Sequence, residues 1–255
     1  MNIGILGHKG RVGKLLIREL LDSEHPNISL AGGYEHKNEG DNTSFFTTND
    51  LNKICARADA LIDFTHPDAV PEHIKHAQTH KKAYILGTTG LSKETEEQLN
   101  AASKDIPILY AANMSVGVNV LLALVEKASE ILNDTWDIEI FESHHKHKID
   151  APSGTALAIG KAAAKGRGVS LNDVSAHARH GQTGARKQGD IGFSVARGGD
   201  VVGEHVTYFY GDGERIELNH IATNRALFAK GAIKGALWLG GQKPGLYSMR
   251  DVLGL

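Results

Sequence analysis

Apolar positions recur along the first 115 residues in short runs that alternate with helical patterns. The first run, Asn2–Leu6, is typical of a strand buried on both faces. A helical stripe follows it at Val12, Leu15, Leu16 and Leu20. Further strands are predicted at 28–34, 58–64, 83–86 and 106–110. Helices are predicted at 68–80 and 92–103, the second of them capped by Ser92. Strands and helices in this alternation predict a parallel sheet with right-handed crossovers.

The pattern changes after Ser115. The second part is predicted to contain a helix at 118–132, a strand at 137–142, a helix at 152–164, strands at 201–210 and 214–220, and a helix at 224–239. The two later strands flank Gly211-Asp212-Gly213, which predicts a hairpin. Residues 179–190 are rich in glycine and basic residues and predict a mobile loop. This part therefore favours a second, mixed sheet.

The two patterns predict an α/β protein with two domains. We expect a Rossmann-like dinucleotide-binding domain at residues 1–115 plus 225–255. An α+β mixed-sheet domain at residues 116–224 is inserted into it and is expected to bind the substrate. The two domains must close to bring cofactor and substrate together, with hinges near Ser115 and Asn224.

Composition narrows the classes of function. The 255 residues carry 28 Lys+Arg and 30 Asp+Glu, a formal net charge of −2, so neither nucleic acid nor an anionic membrane is expected as a partner. The longest aliphatic run, 120–125, is far shorter than the roughly 18 residues of a membrane span. The N-terminus has no charged leader followed by an apolar stretch. The single cysteine, Cys55, cannot form an internal disulfide, so we expect a cytoplasmic protein in which Cys55 is structural.

A glycine-rich turn lies between the first predicted strand and helix. The segment Gly7–Gly13 has the spacing G-x-x-G-x-x-G, and its small residues let backbone N–H groups approach a pyrophosphate. The alternative is a tight turn that binds nothing. Glu35, at the end of the second strand, is placed to accept from ribose hydroxyls and favours NAD. Nearby cations favour NADP instead, because they are placed to meet a 2′-phosphate: Arg11, His36 and Lys37.

Two further loops follow the fourth and fifth strands. They are Gly87-Thr88-Thr89-Gly90 and Ala111-Ala112-Asn113-Met114-Ser115. Ligands of open α/β sheets bind beyond the carboxyl ends of the strands, so we expect both loops beside a nicotinamide ring. The alternative is that they are ordinary loops, which also favour Gly, Thr and Asn.

The densest group of reactive side chains spans Glu142 to Ala156, with the sequence ESHHKHKIDAPSGTA. In an extended strand, His144 and His145 point to opposite faces and should have different roles. Lys148 and His145 can supply positive charge or protons. Pro152 is predicted in the first turn of a helix, where the backbone of 153–155 exposes hydrogen-bond donors. Such donors beside a lysine predict a carboxylate-binding site, and a solvated basic turn is the alternative.

A metal site is a competing interpretation of the histidines. One set of ligand types is His144, His145, His147 and Asp150. The lysines interleaved in that segment repel a divalent cation. A second set, on a predicted helix, is His73, His76 and His80. Lysines crowd these three and no acid completes the set, so we expect them to be solvated and predict no metal.

The segment HHKHKIDAPSGTA, from His144 to Ala156, resembles the signature of the 4-hydroxy-tetrahydrodipicolinate reductases, long called dihydrodipicolinate reductases. The resemblance runs nearly end to end and includes 63–65, 112–119, 203–205 and 249–253. It implies reduction of 4-hydroxy-tetrahydrodipicolinate to tetrahydrodipicolinate with loss of water, in diaminopimelate and lysine biosynthesis. The implied cofactor is NADH and/or NADPH without a metal. The implied partners are a small dicarboxylate substrate and further copies of the chain in a homotetramer formed through the second domain's sheets.

The resemblance also implies roles for individual residues. His144 corresponds to the proton donor/acceptor and Lys148 to the proton donor. The substrate's carboxylates are expected at His145, Gly154 and Thr155. The cofactor is expected at Gly7, His8, Lys9, Gly10, Arg11, Val12, Glu35, His36, Gly87, Thr88, Thr89, Ala111, Ala112, Asn113 and Met114. His36 stands where some relatives carry an arginine for the 2′-phosphate, so the choice between NADH and NADPH stays open. His66 also stands at a position that is arginine in some members.

Two other classes of function remain as alternatives. A redox-sensing dinucleotide-binding protein would keep the glycine turn but would have no need of the histidine segment beside a helix N-terminus. A metal-dependent hydrolase would need that segment to bind metal.

Overall fold

The computed structural model describes residues 1–22, 27–37, 43–177 and 179–255. These residues form two compact units, Met1–Val116 with Arg225–Leu255, and Gly117–Asn224. Within the described ranges, no helix combines the length and the apolar character that a membrane crossing requires.

The first unit is built on a sheet of seven parallel strands. They are β1 Asn2–Leu6, β2 Ser29–Tyr34, β3 Thr47–Thr48, β4 Ala60–Asp63, β5 Ala83–Leu86, β6 Pro107–Tyr110 and, near the C-terminus, β12 Gly245–Tyr247. Their order is β12-β6-β5-β4-β1-β2-β3, and every pair is parallel. The predicted Rossmann-like parallel sheet is confirmed.

Helices cover both faces of this sheet. One face packs against α1 Arg11–Asp22, α8 Ala226–Leu239 and α9 Met249–Leu253. The other packs against α2 Leu51–Arg57, α3 Val70–Thr79 and α4 Lys93–Ala102. Because side chains alternate along a strand, Ile3 and Ile5 enter the first core and Leu6 enters the second. Ser92 caps α4 as predicted, accepting a 3.2 Å hydrogen bond from the Thr95 amide.

The second unit is a mixed five-stranded sheet with helices on one face. Its strands are β7 Asp137–His144, β8 Ser175–Ala176, β9 Ile191–Arg197, β10 Gly203–Gly211 and β11 Glu214–Ala222, in the order β11-β10-β7-β9-β8. The β7–β9 and β8–β9 pairs are parallel, and the other two are antiparallel. The covering helices are α5 Val116–Leu132, α6 Gly154–Gly166 and α7 Leu171–Val174.

Alternation along β7 and β10 brings three polar side chains to the covered face. In β7 the buried positions are Ile138, Ile140, Glu142 and His144. In β10 the buried positions include His205 and Phe209. The apolar members form the core with α5 and α6. Glu142, His144 and His205 therefore lie together at one end of that core.

Two local expectations are wrong, and one strand was not predicted. Strand β7 ends at His144, so His145 lies in the following turn and not on the opposite face of the strand. Helix α6 begins at Gly154 after the cap residue Ser153, so Pro152 precedes the helix and is not in its first turn. Strand β9 was not predicted, because Gly192 interrupts its apolar pattern. A Cβ at Gly192 would collide with the Glu139 carboxylate, so a side chain has no room there.

Candidate active site

The glycine turn after β1 leaves room for a ligand to approach the protein backbone closely. Gly7 has a φ of +74°, which favours glycine, and its carbonyl accepts a 3.0 Å hydrogen bond from the Gly10 amide. A Cβ at Gly13 would lie 2.8 Å from the Cα of His8. Larger residues would push the turn away from the N-terminus of α1. The turn therefore fits a pyrophosphate, whose charge the helix N-terminus favours.

Glu35 is fixed at the same turn. Its Oε2 accepts a 3.3 Å hydrogen bond from the Lys9 amide, and its own amide donates to Thr48. The Glu35 side chain is half-buried, whereas the cations nearby in sequence are exposed: Arg11, His36 and Lys37. A fixed carboxylate suits ribose hydroxyls, and the exposed cations suit a phosphate.

The two predicted nicotinamide loops meet at the carboxyl ends of β5 and β6. The Ala111 amide donates to the Leu86 carbonyl at 3.2 Å, which ties the second loop to the end of β5. The Thr88 hydroxyl donates to the Thr65 carbonyl at 3.0 Å, which ties the first loop to the residues after β4. Helix α8 packs directly on the second loop, because a Cβ at Gly231 would collide with the Met114 carbonyl. All predicted cofactor residues of this unit thus lie at one end of its sheet.

A buried carboxylate that was not predicted as a site residue lies behind these loops. Asp63 is fully buried and accepts hydrogen bonds from the Thr65 amide and hydroxyl at 2.8 and 2.7 Å, from His73 Nδ1 at 2.7 Å and from the Tyr84 hydroxyl at 2.5 Å. Burial opposes ionisation of Asp63, but hydrogen bonds from His73, Tyr84 and Thr65 outweigh it and hold the carboxyl pKa below its ordinary value. The expectation that His73 is solvated and lacks an acid is therefore wrong.

The second unit contains a similar pair in its histidine segment. Glu142 is buried, and its Oε2 accepts a 2.5 Å hydrogen bond from His144 Nδ1. Arg197, at the end of β9, donates to both Glu142 oxygens at 2.8 and 2.9 Å. The Ser153 amide donates to Oε1 at 2.9 Å. Burial opposes ionisation of Glu142, but these donors outweigh it and hold its pKa below the ordinary value.

The N-terminus of α6 begins beside this pair. The Ser153 hydroxyl accepts a 3.1 Å hydrogen bond from the Ala156 amide, and it lies 3.1 Å from His205 Nε2. Next to it, apart from the adjacent residues and the backbone of α6 itself, no described atom lies within 4 Å of the position that a Cβ at Gly154 would occupy. Thr155 is half-buried. The start of the helix therefore presents backbone donors and a hydroxyl beside open space.

The turn between β7 and α6 holds the remaining predicted residues. The Lys148 ammonium lies 2.8 Å from an Asp150 oxygen, and its side chain is 21% exposed. The pairing with Lys148 lowers the pKa of the Asp150 carboxyl. The His145 amide donates to the Val201 carbonyl at 2.8 Å, which fixes the start of the turn against the residues before β10. Among the described residues, no group of three or more His, Cys, Asp or Glu side chains is arranged to hold a metal ion.

Comparisons with known proteins agree across the whole chain. Residues 1–114 match the family model described as "Dihydrodipicolinate reductase, N-terminus", and residues 117–253 match "Dihydrodipicolinate reductase, C-terminus". The chain belongs to the dihydrodipicolinate reductase family. Its activity is accordingly the NAD(P)H-dependent reduction of 4-hydroxy-tetrahydrodipicolinate, in the diaminopimelate and lysine pathway.

Relatives of the dihydrodipicolinate reductase family resemble the chain over its full length. The 4-hydroxy-tetrahydrodipicolinate reductase of Parvibaculum lavamentivorans is 47% identical, with 100% of this chain and 98% of the relative aligned. That of a Ruegeria species is also 47% identical, over 99% of this chain and 98% of the relative. The fold matches a dipicolinate-bound dihydrodipicolinate reductase from Paenisporosarcina sp. TG-14, with a TM-score of 0.81, 22% identity and 98% of each chain covered.

Within this reductase fold, the predicted site residues fall into two groups, one in each unit. Sequence reasoning missed the residues that hold these groups in place: Asp63, His73, Glu142, Ser153, Arg197 and His205. Glu142 gave a signal, because it lies two residues before His144 and so faces the same side of a strand. Arg197 gave none, because it is 55 residues from Glu142 in the chain.

Proposed function

We propose that side chains of the second unit complete the reduction, with His144 as the proton donor or acceptor and Lys148 as the proton donor. The observation that carries this proposal is the state of the His144 ring. A buried carboxylate holds its Nδ1, and the same carboxylate binds the cap residue of α6. A histidine whose Nδ1 is fixed in this way by a buried carboxylate is arranged for proton transfer.

The substrate's two carboxylates are proposed to bind at the start of α6 and the turn before it. Gly154 and Thr155 supply backbone and hydroxyl donors at a helix N-terminus, which favours an anion. Lys148 and His145 supply positive charge from the turn. The relative from Paenisporosarcina was solved with dipicolinate, a planar dicarboxylate of the same class. Its binding supports a dicarboxylate site in this family.

NADH or NADPH is proposed to bind the residues at the end of the first unit's sheet. The bound nicotinamide supplies the hydride. The glycine turn receives the pyrophosphate, Glu35 faces the adenosine ribose, and the loops after β5 and β6 hold the nicotinamide end. The chain's own contribution is to orient the nicotinamide ring and to hold the dianionic substrate. It also donates a proton to the substrate ring after that ring has been reduced.

The test supplies the substrate in situ with the preceding synthase and measures turnover as the oxidation of NADH or of NADPH. We expect activity with both, and competitive inhibition by pyridine-2,6-dicarboxylate. Nucleotide binding without turnover would favour a redox sensor. Activity that depends on a bound metal in the purified protein would favour a hydrolase. Failure of the dicarboxylate to compete with substrate would contradict the proposed binding site.

Both cofactors are expected to bind within about one order of magnitude of each other. Glu35 accepts from ribose hydroxyls and repels a 2′-phosphate, whereas Arg11 and Lys37 attract it. Exposed charge pairs are each worth about 0–1 kcal/mol, and 1.4 kcal/mol is tenfold, so the opposing effects nearly cancel. Added salt should weaken NADPH binding more than NADH binding, because exposed cations are screened.

The measurement is the dissociation constant of each cofactor across a salt series. The variant His36→Arg adds a permanent charge and should tighten NADPH alone. A preference of a hundredfold or more, insensitive to salt, would contradict this balance of exposed charges.

A cytoplasmic homotetramer is proposed, with the outer face of the second sheet as its interface. This face carries exposed apolar side chains on β10 and β11, Tyr210 and Ile221. Their strand partners, Asp137 and Glu204, are at positions that alternate with the buried ones. Patches of this kind mark interaction surfaces. Light scattering on the purified protein should give four copies, and Ile221→Lys should lower that number. A monomer at micromolar concentration would contradict the proposal.

A further inference from the structure

Glu142 is engaged on both of its oxygens. Oε1 accepts from the Ser153 amide at 2.9 Å and from one Arg197 nitrogen at 2.9 Å. Oε2 accepts from the other Arg197 nitrogen at 2.8 Å and from His144 Nδ1 at 2.5 Å. The carboxylate is 1% exposed, so its position is set by protein groups. Rotation of this carboxylate would break all four bonds together.

These bonds determine which nitrogen of the His144 ring can give up or take a proton. An ionised carboxylate only accepts hydrogen bonds, so His144 Nδ1 must carry a hydrogen. Proton exchange is then left to Nε2. That atom faces β10, where a Cβ at Gly203 would lie 2.9 Å from it. Glycine at this position leaves room for the ring in this orientation.

The charges around His144 come from each neighbouring element. Glu142 is on its own strand, Arg197 on β9, His205 on β10 and His220 on β11, and the turn after β7 supplies His145 and Lys148. Burial, with a smaller contribution from His144, lowers the pKa of His205 to about 4. His205 is therefore neutral at neutral pH. Burial also lowers the pKa of His220.

Arg197 changes what Glu142 can do. Its two-pronged contact balances the buried negative charge without using His144 for that purpose. Without a cation there, a protonated His144 would be the group that compensates Glu142, and its proton would be held in the protein. With Arg197 in place, the compensating charge comes from β9, and Glu142 is left to orient the ring.

We propose that Glu142 and Arg197 are positioning residues for the reaction, fixing His144 in one tautomer and one ring orientation with Nε2 available for proton transfer. This inference rests on the proposed role of His144. It adds two residues on separate strands to the machinery of the reaction, although neither is assigned a contact with substrate or cofactor.

The test compares Glu142→Gln with a matched control, Glu139→Gln. Glu139 lies three residues earlier on β7, faces the other side of the sheet and also holds arginines, Arg179 and Arg186. Glu142→Gln should lower kcat about 10–100-fold, as loss of an outer partner of a histidine does. The KM values for substrate and NADH should stay within about twofold, since binding groups are retained. Glu139→Gln should leave kcat within about twofold.

The pH profile distinguishes positioning from a purely structural effect. Loss of the Glu142 charge disfavours the protonated ring, so the alkaline limb of the kcat profile should move to lower pH in Glu142→Gln and stay in place in Glu139→Gln. In protein labelled with 15N-histidine, the His144 resonances should show a hydrogen on Nδ1 in the wild type and a changed tautomer in Glu142→Gln. An unmoved pH limb with an unchanged tautomer would overturn the proposal.

Arg197 provides a second, independent pair of variants if Glu142→Gln does not fold. Arg197→Lys retains the charge and Arg197→Met removes it, so kcat should fall further in the methionine variant. Equal kcat in the two would overturn the proposed role of Arg197. If the wild-type protein itself fails to reduce the substrate, the proposed function fails. If the wild type is active and all four variants match it, only this inference fails.

Discussion

The two units contain buried carboxylate–histidine pairs that look alike at the point of contact. Asp63 binds His73 Nδ1 at 2.7 Å in the first unit, and Glu142 binds His144 Nδ1 at 2.5 Å in the second. Both carboxylates are at most 1% exposed, and hydrogen bonding holds both carboxyl pKa values below their ordinary range despite burial. The shared geometry does not imply a shared role, because the remaining partners differ.

The difference lies in what balances the buried charge. Apart from His73, the partners of Asp63 in the described chain are uncharged, being Tyr84 and Thr65. Glu142 has Arg197 as a permanent cation. The side chain of His73 is 2% exposed, and that of His144 is 11% exposed. A histidine that must balance a carboxylate belongs to the structure, whereas one relieved of that task is available for chemistry.

The Asp63–His73 pair, called the closed pair here because neither side chain is more than 2% exposed, supports the cofactor loops. Thr65, held by Asp63, lies where a Cβ at Gly7 would reach 2.8 Å from its methyl group. The Thr65 carbonyl accepts from Thr88, and the Asp63 carbonyl accepts a 2.9 Å hydrogen bond from the Gly87 amide. The pair thus connects the glycine turn to the loop after β5. We therefore expect changes in the closed pair to affect nucleotide binding and stability. Changes in the Glu142–His144 pair, called the open pair because the His144 side chain is 11% exposed, should affect turnover.

The largest effect is expected from His144→Gln in the open pair. Turnover should fall about 10²–10⁴-fold, the range that general acid–base catalysis contributes. The dissociation constant of NADH should stay within about twofold, because His144 is in the second unit. His147→Gln, an exposed histidine in the same turn, serves as the control and should retain activity. If His144→Gln instead raised the substrate KM at normal kcat, His144 would be a binding residue.

The closed pair should respond in the opposite way. His73→Gln removes the Nδ1 contact of the fully buried Asp63 carboxylate, and a buried group that loses a hydrogen-bond partner costs about 1–3 kcal/mol of the free energy of unfolding, more when the group is charged. The NADH dissociation constant should rise by about tenfold or more as the loops after β1 and β5 loosen. His76→Gln, on the same helix, is the control. Normal NADH binding with a reduced kcat would reverse the assignment of the two pairs.

A smaller effect is expected from His205, the neutral histidine whose ring centre lies 5.1 Å from that of His144. Burial lowers its pKa from 6.5 to about 4. As pH falls between these values, the unfolded chain binds a proton that the folded chain does not. Above pH 6.5, His205 therefore causes no pH-dependent change in the free energy of unfolding. As pH falls from 6.5 to about 4, it lowers that free energy by about 3 kcal/mol.

Chemical denaturation at a series of pH values measures this contribution. His205→Gln should keep a hydrogen bond to Ser153 and give a flatter stability curve between pH 6.5 and 4. The same slope in variant and wild type would show that His205 is protonated in the folded protein, and the charge balance around His144 would then need revision.

The sequence predicted best those features that depend on neighbouring residues. The apolar run of β1, the glycine turn after it and the Ser92 cap are each encoded within a few positions. The segment from His144 to Ala156 gave the family, and Glu142, just before that segment, connects His144 to the cap residue of α6. Local patterns also explain the errors there, because Pro152 is compatible with both the first turn of a helix and the residue before its cap.

The supporting residues were not predicted because they come together only in the folded chain. Ser153 and His205 are 52 residues apart, and Glu142 and Arg197 are 55 residues apart. Asp63 and His73 are only ten residues apart, but one ends a strand and the other lies inside a helix. No periodicity relates a strand end to a helix face. Their pairing follows from the packing of α3 against the sheet.

The most direct test of one closed and one open pair is the solvent exchange of the two Nδ1 hydrogens, observed by proton NMR. The downfield signal that disappears in Asp63→Asn reports His73, and the one that disappears in Glu142→Gln reports His144. We predict that the His73 hydrogen persists in D₂O much longer, since its exchange requires opening of the core. The His144 hydrogen should exchange faster, because the His144 side chain is 11% exposed and that of His73 only 2%. Equal exchange rates, or slower exchange at His144, would contradict the account.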